Sequence, residues 1–327
     1  MTNKSYQNLV VTPDKTRELA HRYIETIAKA TRFHGVVSGL GDLDKIVNPL
    51  MPGRLMTIMG RPGNGKTSLM AHYIRTAARR RIAENQVALV APPVFISAEM
   101  SVEEILVREI AHVIPVDSSL IERGIVSDWN VVHEAIDIIC EKFPVIYIAH
   151  SLLDTDKRPR LSVESIMAAM QEIVQMYGSP PEIVAVDYAQ RLKLDRVTRD
   201  RRIEVSEITE TMKDMALAIG TGVILGSQVG RHVDQKRPPV PELADAKETA
   251  NLEETSDVIL SVMRPSKYYK IGEKIPGTQL VCHDSLFYIY VVKQRQGKSG
   301  EGVWAWFDMS ISKLTNLEVE YLDLNDY

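Results

Sequence analysis

The sequence predicts an α/β fold: a mainly parallel sheet with helices on both faces, a hairpin at its C-terminal edge, and an amphipathic linker helix ahead of it. Three observations predict this. Short, nearly unbroken apolar runs occupy residues 55–59, 94–97, 145–149, 183–187, 223–227, 258–263 and 287–293. Helical patterns such as 163–177 and 205–219 fall between several of them. The last runs, 287–293 and 303–307, are joined by a glycine-rich turn at 296–302 instead. Strands buried on both faces read as continuous apolar runs, and parallel neighbours need a crossover, usually a helix. Antiparallel neighbours need only a turn, so the final pair reads as an edge hairpin.

Residues 1–12 are polar. From 14 to 31, Leu19, Ala20, Tyr23, Ile24, Ile27 and Ala28 recur at three- and four-residue spacing, with Pro13 placed in the first turn. That apolar face must be covered, either by the chain's own domain or by a neighbouring copy. Gly35, Gly39, Gly41, Pro49, Pro52 and Gly53 then mark a turn-rich connection. The first core strand, 55–59, runs into a glycine-rich turn and a helix over 68–81. The strand 94–97 leads into a helix over 101–111. The remaining strands and helices complete one α/β domain over 35–312, and 313–327 reads as an acidic tail. In that tail Glu318, Glu320, Asp323 and Asp326 alternate with Leu317, Tyr321, Leu322, Leu324 and Tyr327. It is either a frayed end or a docking peptide.

Composition narrows the class. The chain has 327 residues, 45% hydrophobic and 25% charged, which is globular rather than disordered or fibrous. No run reaches the roughly 18 apolar residues of a membrane span, and the N-terminus shows no export pattern. Cys140 and Cys282 cannot make a disulfide framework. The expectation is a cytoplasmic protein with no membrane partner. The net charge of −4 excludes a uniformly basic nucleic-acid-binding domain. Charge is nonetheless uneven: residues 191–202 carry six Arg/Lys against Asp195 and Asp200.

Gly60, Arg61, Pro62, Gly63, Asn64, Gly65, Lys66 and Thr67 match G-x-x-x-x-G-K-S/T between a strand and a helix that opens at Ser68. Such glycines let backbone N–H groups turn towards phosphate oxygens, and the helix N-terminus adds favourable potential. The lysine reaches the β- and γ-phosphates, and the hydroxyl faces Mg²⁺. Asp187 ends the apolar run 183–186, where a carboxylate can join the metal's shell. Tyr188 follows it, so a water-orienting base must come from elsewhere. Glu99, after the run 93–97, is the candidate; position alone also fits an acid opening the next helix. Gln228 closes the run 223–227 and is either a γ-phosphate sensor or a surface amide.

Together these pieces resemble the motor domain of bacterial replicative hexameric helicases of the DnaB type, within the RecA-like ATPases. The resemblance rests on VSGLGDLD, the P-loop, FISAEMS, IVAVDYAQRL, VILGSQVGR, LADAKETANLEETSDVIL and VVKQRQG, in the family's order from about residue 35 to 307. It implies a RecA-like P-loop NTPase core that assembles into a hexamer, hydrolyses ATP between subunits and moves on single-stranded DNA. ATP and Mg²⁺ are the implied cofactors, with Thr67 and Asp187 on the metal side. Glu99 resembles the catalytic base, and Gln228 the residue that links the γ-phosphate to DNA loops. Lys293 and Arg295 resemble the pair inserted into the neighbour's ATP site. Taken alone, KQRQGKSG reads as a solvated basic turn.

The resemblance also places DNA-binding loops at 191–202, with Arg199, Arg201 and Arg202, and at 231–237, with Arg231, Lys236 and Arg237. A third comprises Lys247, Glu248 and Ala250; there Lys247 replaces the usual Arg and Ala250 the usual Gly. These loops hold no aromatic residue, which favours backbone tracking over base stacking. Residues 191–202 also fit a merely solvated charged loop. The family's helical collar domain has no counterpart here, so the expectation is a phage, plasmid or other mobile-element relative, or a helicase whose collar function resides in another protein. A loader or replication protein, met through the acidic tail, is the expected partner. The competing function is a nucleotide-switched assembly or accessory factor that binds DNA or partners without unwinding.

Overall fold

The computed structural model describes residues 13–29, 35–85, 90–153, 161–196, 200–246 and 250–317. The chain divides into two units, Met1–His34 and Gly35–Tyr327. In the first, α1 spans Pro13–Lys29, close to the predicted helix. Within that unit Leu19 and Ile24 are exposed. The expected contacts of Tyr23 and Ile27, and the helix's last predicted turn, lie outside the described residues.

The second unit opens with α2 (Gly41–Ile46) and is built on one sheet, with β1 at Leu55–Gly60, β2 at Val94–Ser97, β3 at Ile146–Ile148, β4 at Ile183–Asp187, β5 at Gly222–Gln228, β6 at Val258–Met263, β7 at Leu286–Gln294, β8 at Gly302–Asp308 and β9 at Lys313–Asn316. The order is β3-β2-β4-β5-β1-β6-β7-β8-β9. Every pairing from β3 to β6 is parallel, and those of β7, β8 and β9 are antiparallel. The period-two alternation of a strand sends neighbouring residues to opposite faces. Phe95, Ala185, Ile58 and Ile224 therefore join one core, with Leu69, Met70 and Tyr73 of α3 (Lys66–Ala83). Ile96, Val184, Val186 and Leu225 join the other, with Ile166 and Met170 of α7 (Val163–Tyr177) and Ile208 and Met212 of α8 (Arg201–Ile219).

Two features differ from the sequence reading. Between β2 and β3 lies a helical excursion, α4 (Val102–Val113), α5 (Ser118–Glu122) and α6 (Trp129–Lys142), of which the sequence predicts only the first helix. It packs on its own small core, including Ile110, Ile121, Val132 and Ile139. The boundary at 312 is also corrected: residues 313–316 are not tail but β9, paired with β8. Leu314 is buried in the main core, which is why the strand stays in the sheet. Residues 318–327 lie outside the described residues. Among the described residues, no helix is long and apolar enough to cross a membrane.

Candidate nucleotide-binding site

The parallel register brings distant residues to one edge of the sheet. Ser97 pairs with Asp187, and Gly60 with Gln228, so the loops after β1, β2, β4 and β5 leave the sheet side by side. Ligands of open α/β sheets bind beyond these strand ends. A cleft of about 630 Å³ lies there, lined by Pro62, Gly63, Gly65, Lys66, Thr67 and Ser68 from the P-loop and by Glu99, Asp187 and Gln228.

Gly65 shows why the motif needs glycine. Its φ is +88°, and an added Cβ would fall 2.6 Å from the Phe287 ring. The remaining motif positions divide by direction. Gly60 is the last residue of β1, beneath the loop. Arg61 turns away from the cleft to pair with Asp234 at 3.1 Å. Asn64 is buried, donates to Tyr268 Oη at 2.8 Å and accepts from the Arg264 N–H at 3.2 Å. Gly60, Arg61 and Asn64 are not among the residues lining the cleft, and the side chains of Arg61 and Asn64 are engaged elsewhere, so any contact these three make with phosphate is through the backbone, as the motif expects.

Lys66 Nζ donates to the carbonyls of Gly60 at 3.1 Å and Arg61 at 3.3 Å. Burial pushes its pKa down, opposed by the Asp187 and Glu99 carboxylates. Asp187 is buried and accepts the Thr67 hydroxyl at 2.6 Å on Oδ2, while its buried Oδ1 has no partner. Burial raises the Asp187 pKa, offset by the Thr67 hydrogen bond and the Lys66 charge. A buried carboxylate oxygen without a donor is costly and calls for a cation or water. This donor set fits Mg²⁺, which takes one or two carboxylates and completes its shell with phosphates and waters. No group of three or more His, Cys, Asp or Glu suited to a metal occurs among the described residues.

Glu99 is exposed at the mouth of the cleft, with its N–H directed to Ser97 Oγ at 3.4 Å. Gln228 is positioned by Gln190, whose Oε1 accepts the Gln228 N–H at 3.1 Å and whose Nε2 donates to Ser227 Oγ at 3.1 Å. Sequence reasoning missed Gln190, Arg108, Met309 and Ser312, the last three lining the cleft from α4 and from the turn after β8. The signal for Gln190 was present in DYAQ, three residues past the strand-end Asp187. Arg108 had none, since a charge in mid-helix reads as solvated.

Lys293 and Arg295 do not reach this cleft. The antiparallel register pairs Val258, the first residue of β6, with Gln294. Arg295 therefore sits at the edge of the sheet where parallel strands begin, and the P-loop where they end. Lys293 donates to the carbonyls of Glu253 and Ser256, and Arg295 to that of Glu254. Arg295 also lies 3.4 Å from Asp257.

Several DNA-loop candidates are already engaged. Lys236 pairs with Glu242 at 2.7 Å and Asp245 at 2.8 Å. Arg201 pairs with Glu204 and donates to the carbonyls of Gln190 and Leu192. Both act as ties within the domain. Arg202, Arg231 and Arg237 are exposed. Arg199, Lys247 and Glu248, and the side chain of Ala250, lie outside the described residues.

The fold and the cleft define a RecA-like P-loop core. The chain belongs to the DnaB-like helicase C terminal domain family, whose model matches residues 35–316. It is 28% identical to the replicative DNA helicase DnaB of Leifsonia xyli over 76% of this chain and 50% of that protein. For the same protein of Buchnera aphidicola subsp. Schizaphis graminum, identity is 27% over 84% of this chain and 55% of the relative. With that of Pasteurella multocida it is 25%, over 99% and 64%. The chain thus spans between 50% and 64% of the length of these relatives. Among solved structures, an ATPase domain superposes with a TM-score of 0.75 at 23% identity, covering 93% of this chain and 98% of that one. A structure of a DnaB-like replicative helicase and its interactions with primase gives 0.73 at 25%, covering 92% and 68%.

Proposed function

We propose that this chain is the motor of an ATP-driven, ring-forming helicase that moves on single-stranded DNA. The observation that carries the reading is the convergence of Lys66, Thr67, Glu99, Asp187 and Gln228 on one cleft, from four strand ends. Membership of a DnaB-like helicase domain family supports the choice of substrate class.

In this reading, ATP seats its phosphates against the P-loop and the N-terminus of α3, where N–H groups and helix potential favour anions. The Lys66 ammonium exchanges the carbonyls of Gly60 and Arg61 for β- and γ-phosphate oxygens. Thr67 offers its hydroxyl, and Asp187 its unpartnered Oδ1, to the shell of a bound ion. Magnesium supplies neutralisation of phosphate charge there. Glu99 accepts a proton from the water that attacks the γ-phosphate. Gln228, held by Gln190, sits between the cleft and the 231–237 segment and reports the γ-phosphate to it. Lys293 and Arg295 serve the ATP of an adjacent copy. Single-stranded DNA, further copies of the chain, most simply six, and a primase- or loader-class replication protein are the proposed partners.

The test is strand displacement on forked DNA with ATP and Mg²⁺. Displacement that requires ATP and is abolished by Lys66→Ala is the expected outcome. ATP hydrolysis without displacement would instead assign the chain to nucleotide-switched accessory factors.

A further inference from the structure

A second cavity, of about 420 Å³, opens on the far side of the P-loop. Arg61, Asn64, Asp234, Arg237, Lys267 and Tyr268 line it, and it shares only Pro62 with the nucleotide cleft. Its volume is within the range of small-ligand sites. Three cations in this lining face one carboxylate. Arg61 is paired with Asp234. Arg237 gives Nη1 to the carbonyls of Asp234 at 3.2 Å and Lys236 at 2.7 Å, which leaves its charge uncompensated. Lys267 is exposed and has no ion-pair partner among the described residues.

The position of Lys267 is tied to the motif. An added Cβ at Gly63, whose φ is +70°, would fall 2.9 Å from Lys267 Nζ. Glycine at this point gives the ammonium room against the P-loop backbone. Tyr268 is fixed as a wall by Asn64 Nδ2 at 2.8 Å, and its hydroxyl lies 3.4 Å from Asp234 Oδ1. A guanidinium, an ammonium and a phenol around a cavity with excess positive charge suit a phosphate group, through charge-assisted hydrogen bonds.

We propose that this niche binds a phosphate group beside, and separately from, the nucleotide cleft. Resting on the function proposed above, the source is the backbone of the single strand passing residues 231–237; a free polyphosphate carries the same chemistry. Arg61 belongs both to the niche and to the P-loop, so a phosphate there competes with Asp234 for a P-loop side chain.

The test reads anisotropy of a labelled oligo(dT) across a salt series, with an ATP analogue saturating the cleft. Wild type, Lys267→Ala and Lys267→Arg are compared. In Lys267→Ala the log–log salt slope should fall by about one, the loss of one phosphate contact. Lys267→Arg should keep the wild-type slope, and analogue affinity should hold in both. A calorimetric titration of inorganic pyrophosphate onto the analogue-saturated protein reads the second source. Pyrophosphate heat lost in Lys267→Ala, with the DNA slope unchanged, would assign the niche to free polyphosphate. Neither probe responding to Lys267→Ala overturns the proposal. So does a fall in analogue affinity, because Lys267 would then serve the nucleotide cleft. If the wild type binds no oligonucleotide, the translocase reading fails by itself, and pyrophosphate alone decides the niche.

Discussion

Asp187 and Glu99 stand at neighbouring strand ends, and burial sets them apart. Asp187 is 1% exposed, holds the Thr67 hydroxyl and leaves one oxygen for a cation. Glu99 is exposed and lines the same cleft, which suits the water-polarising role proposed for it. Glu99→Gln keeps the shape and removes the base. It should lower ATP turnover by roughly 10²–10⁴-fold, the usual contribution of a positioned general base, while nucleotide binding persists. Steady-state hydrolysis at saturating ATP, with a separate binding titration, checks this. Unchanged turnover removes Glu99 from the role. Both carboxylates were legible in the sequence because an acid ending an apolar run marks a strand's C-terminal end. Where the side chains of Arg61 and Asn64 turn was not legible, since the motif constrains only their backbone.

At the scale of elements, α3 and α4 meet across a buried ion pair, Arg75–Glu109 at 2.8 Å, with Arg75 also donating to the Ser312 carbonyl. His72 and His112 flank it, and both are held at about 3, mainly by burial and then by the charges of Arg75 and Arg79. The unfolded chain takes up these protons from about pH 6.5 downwards, the folded chain only near 3. Their contribution to stability is therefore complete above about 6.5 and is lost as pH falls towards 3. His72→Leu should make the fall in melting temperature between pH 7 and 5 shallower; parallel curves for variant and wild type would refute it. The helix α1 supports a second expectation. Its exposed Leu19 and Ile24 need cover, and deleting residues 1–34 should lower the mass of the proposed oligomer in light scattering while the far-ultraviolet spectrum stays that of a folded α/β domain. An unchanged mass would show that α1 plays no part in assembly. Periodicity revealed α1 and α7 because their apolar positions recur regularly, and unbroken apolar runs revealed the central strands, which are buried throughout. It missed α6, whose Ile136 and Val131 are exposed and blur the pattern, and β9, four residues long among acidic neighbours.

For the whole molecule, the sheet's own geometry decides where Arg295 can act. β1 runs six residues up to the P-loop, about 20 Å at the usual strand rise. Met56, near its foot, is level with Val258, and Val258 with Gln294. Arg295 thus begins a strand length away from its own nucleotide cleft. There it donates to the Glu254 carbonyl and lies beside the Asp257 carboxylate. Any ATP it serves is bound by another copy. A guanidinium inserted in this way stabilises charge on the transferring phosphoryl group and accounts for about 10³–10⁵ in rate in well-studied cases. Lys66→Ala and Arg295→Ala should each be nearly inactive alone. Mixed before assembly, a subunit with intact Lys66 can sit against one with intact Arg295, which rebuilds complete sites at some interfaces. ATP hydrolysis is the proper readout, because strand displacement can require every subunit to work. Recovery of hydrolysis in mixed oligomers, absent from either variant alone, is the expected result. Mixed oligomers that form and stay inactive would mean that Arg295 works within its own subunit or not at all, and the ring-motor reading would lose its main support.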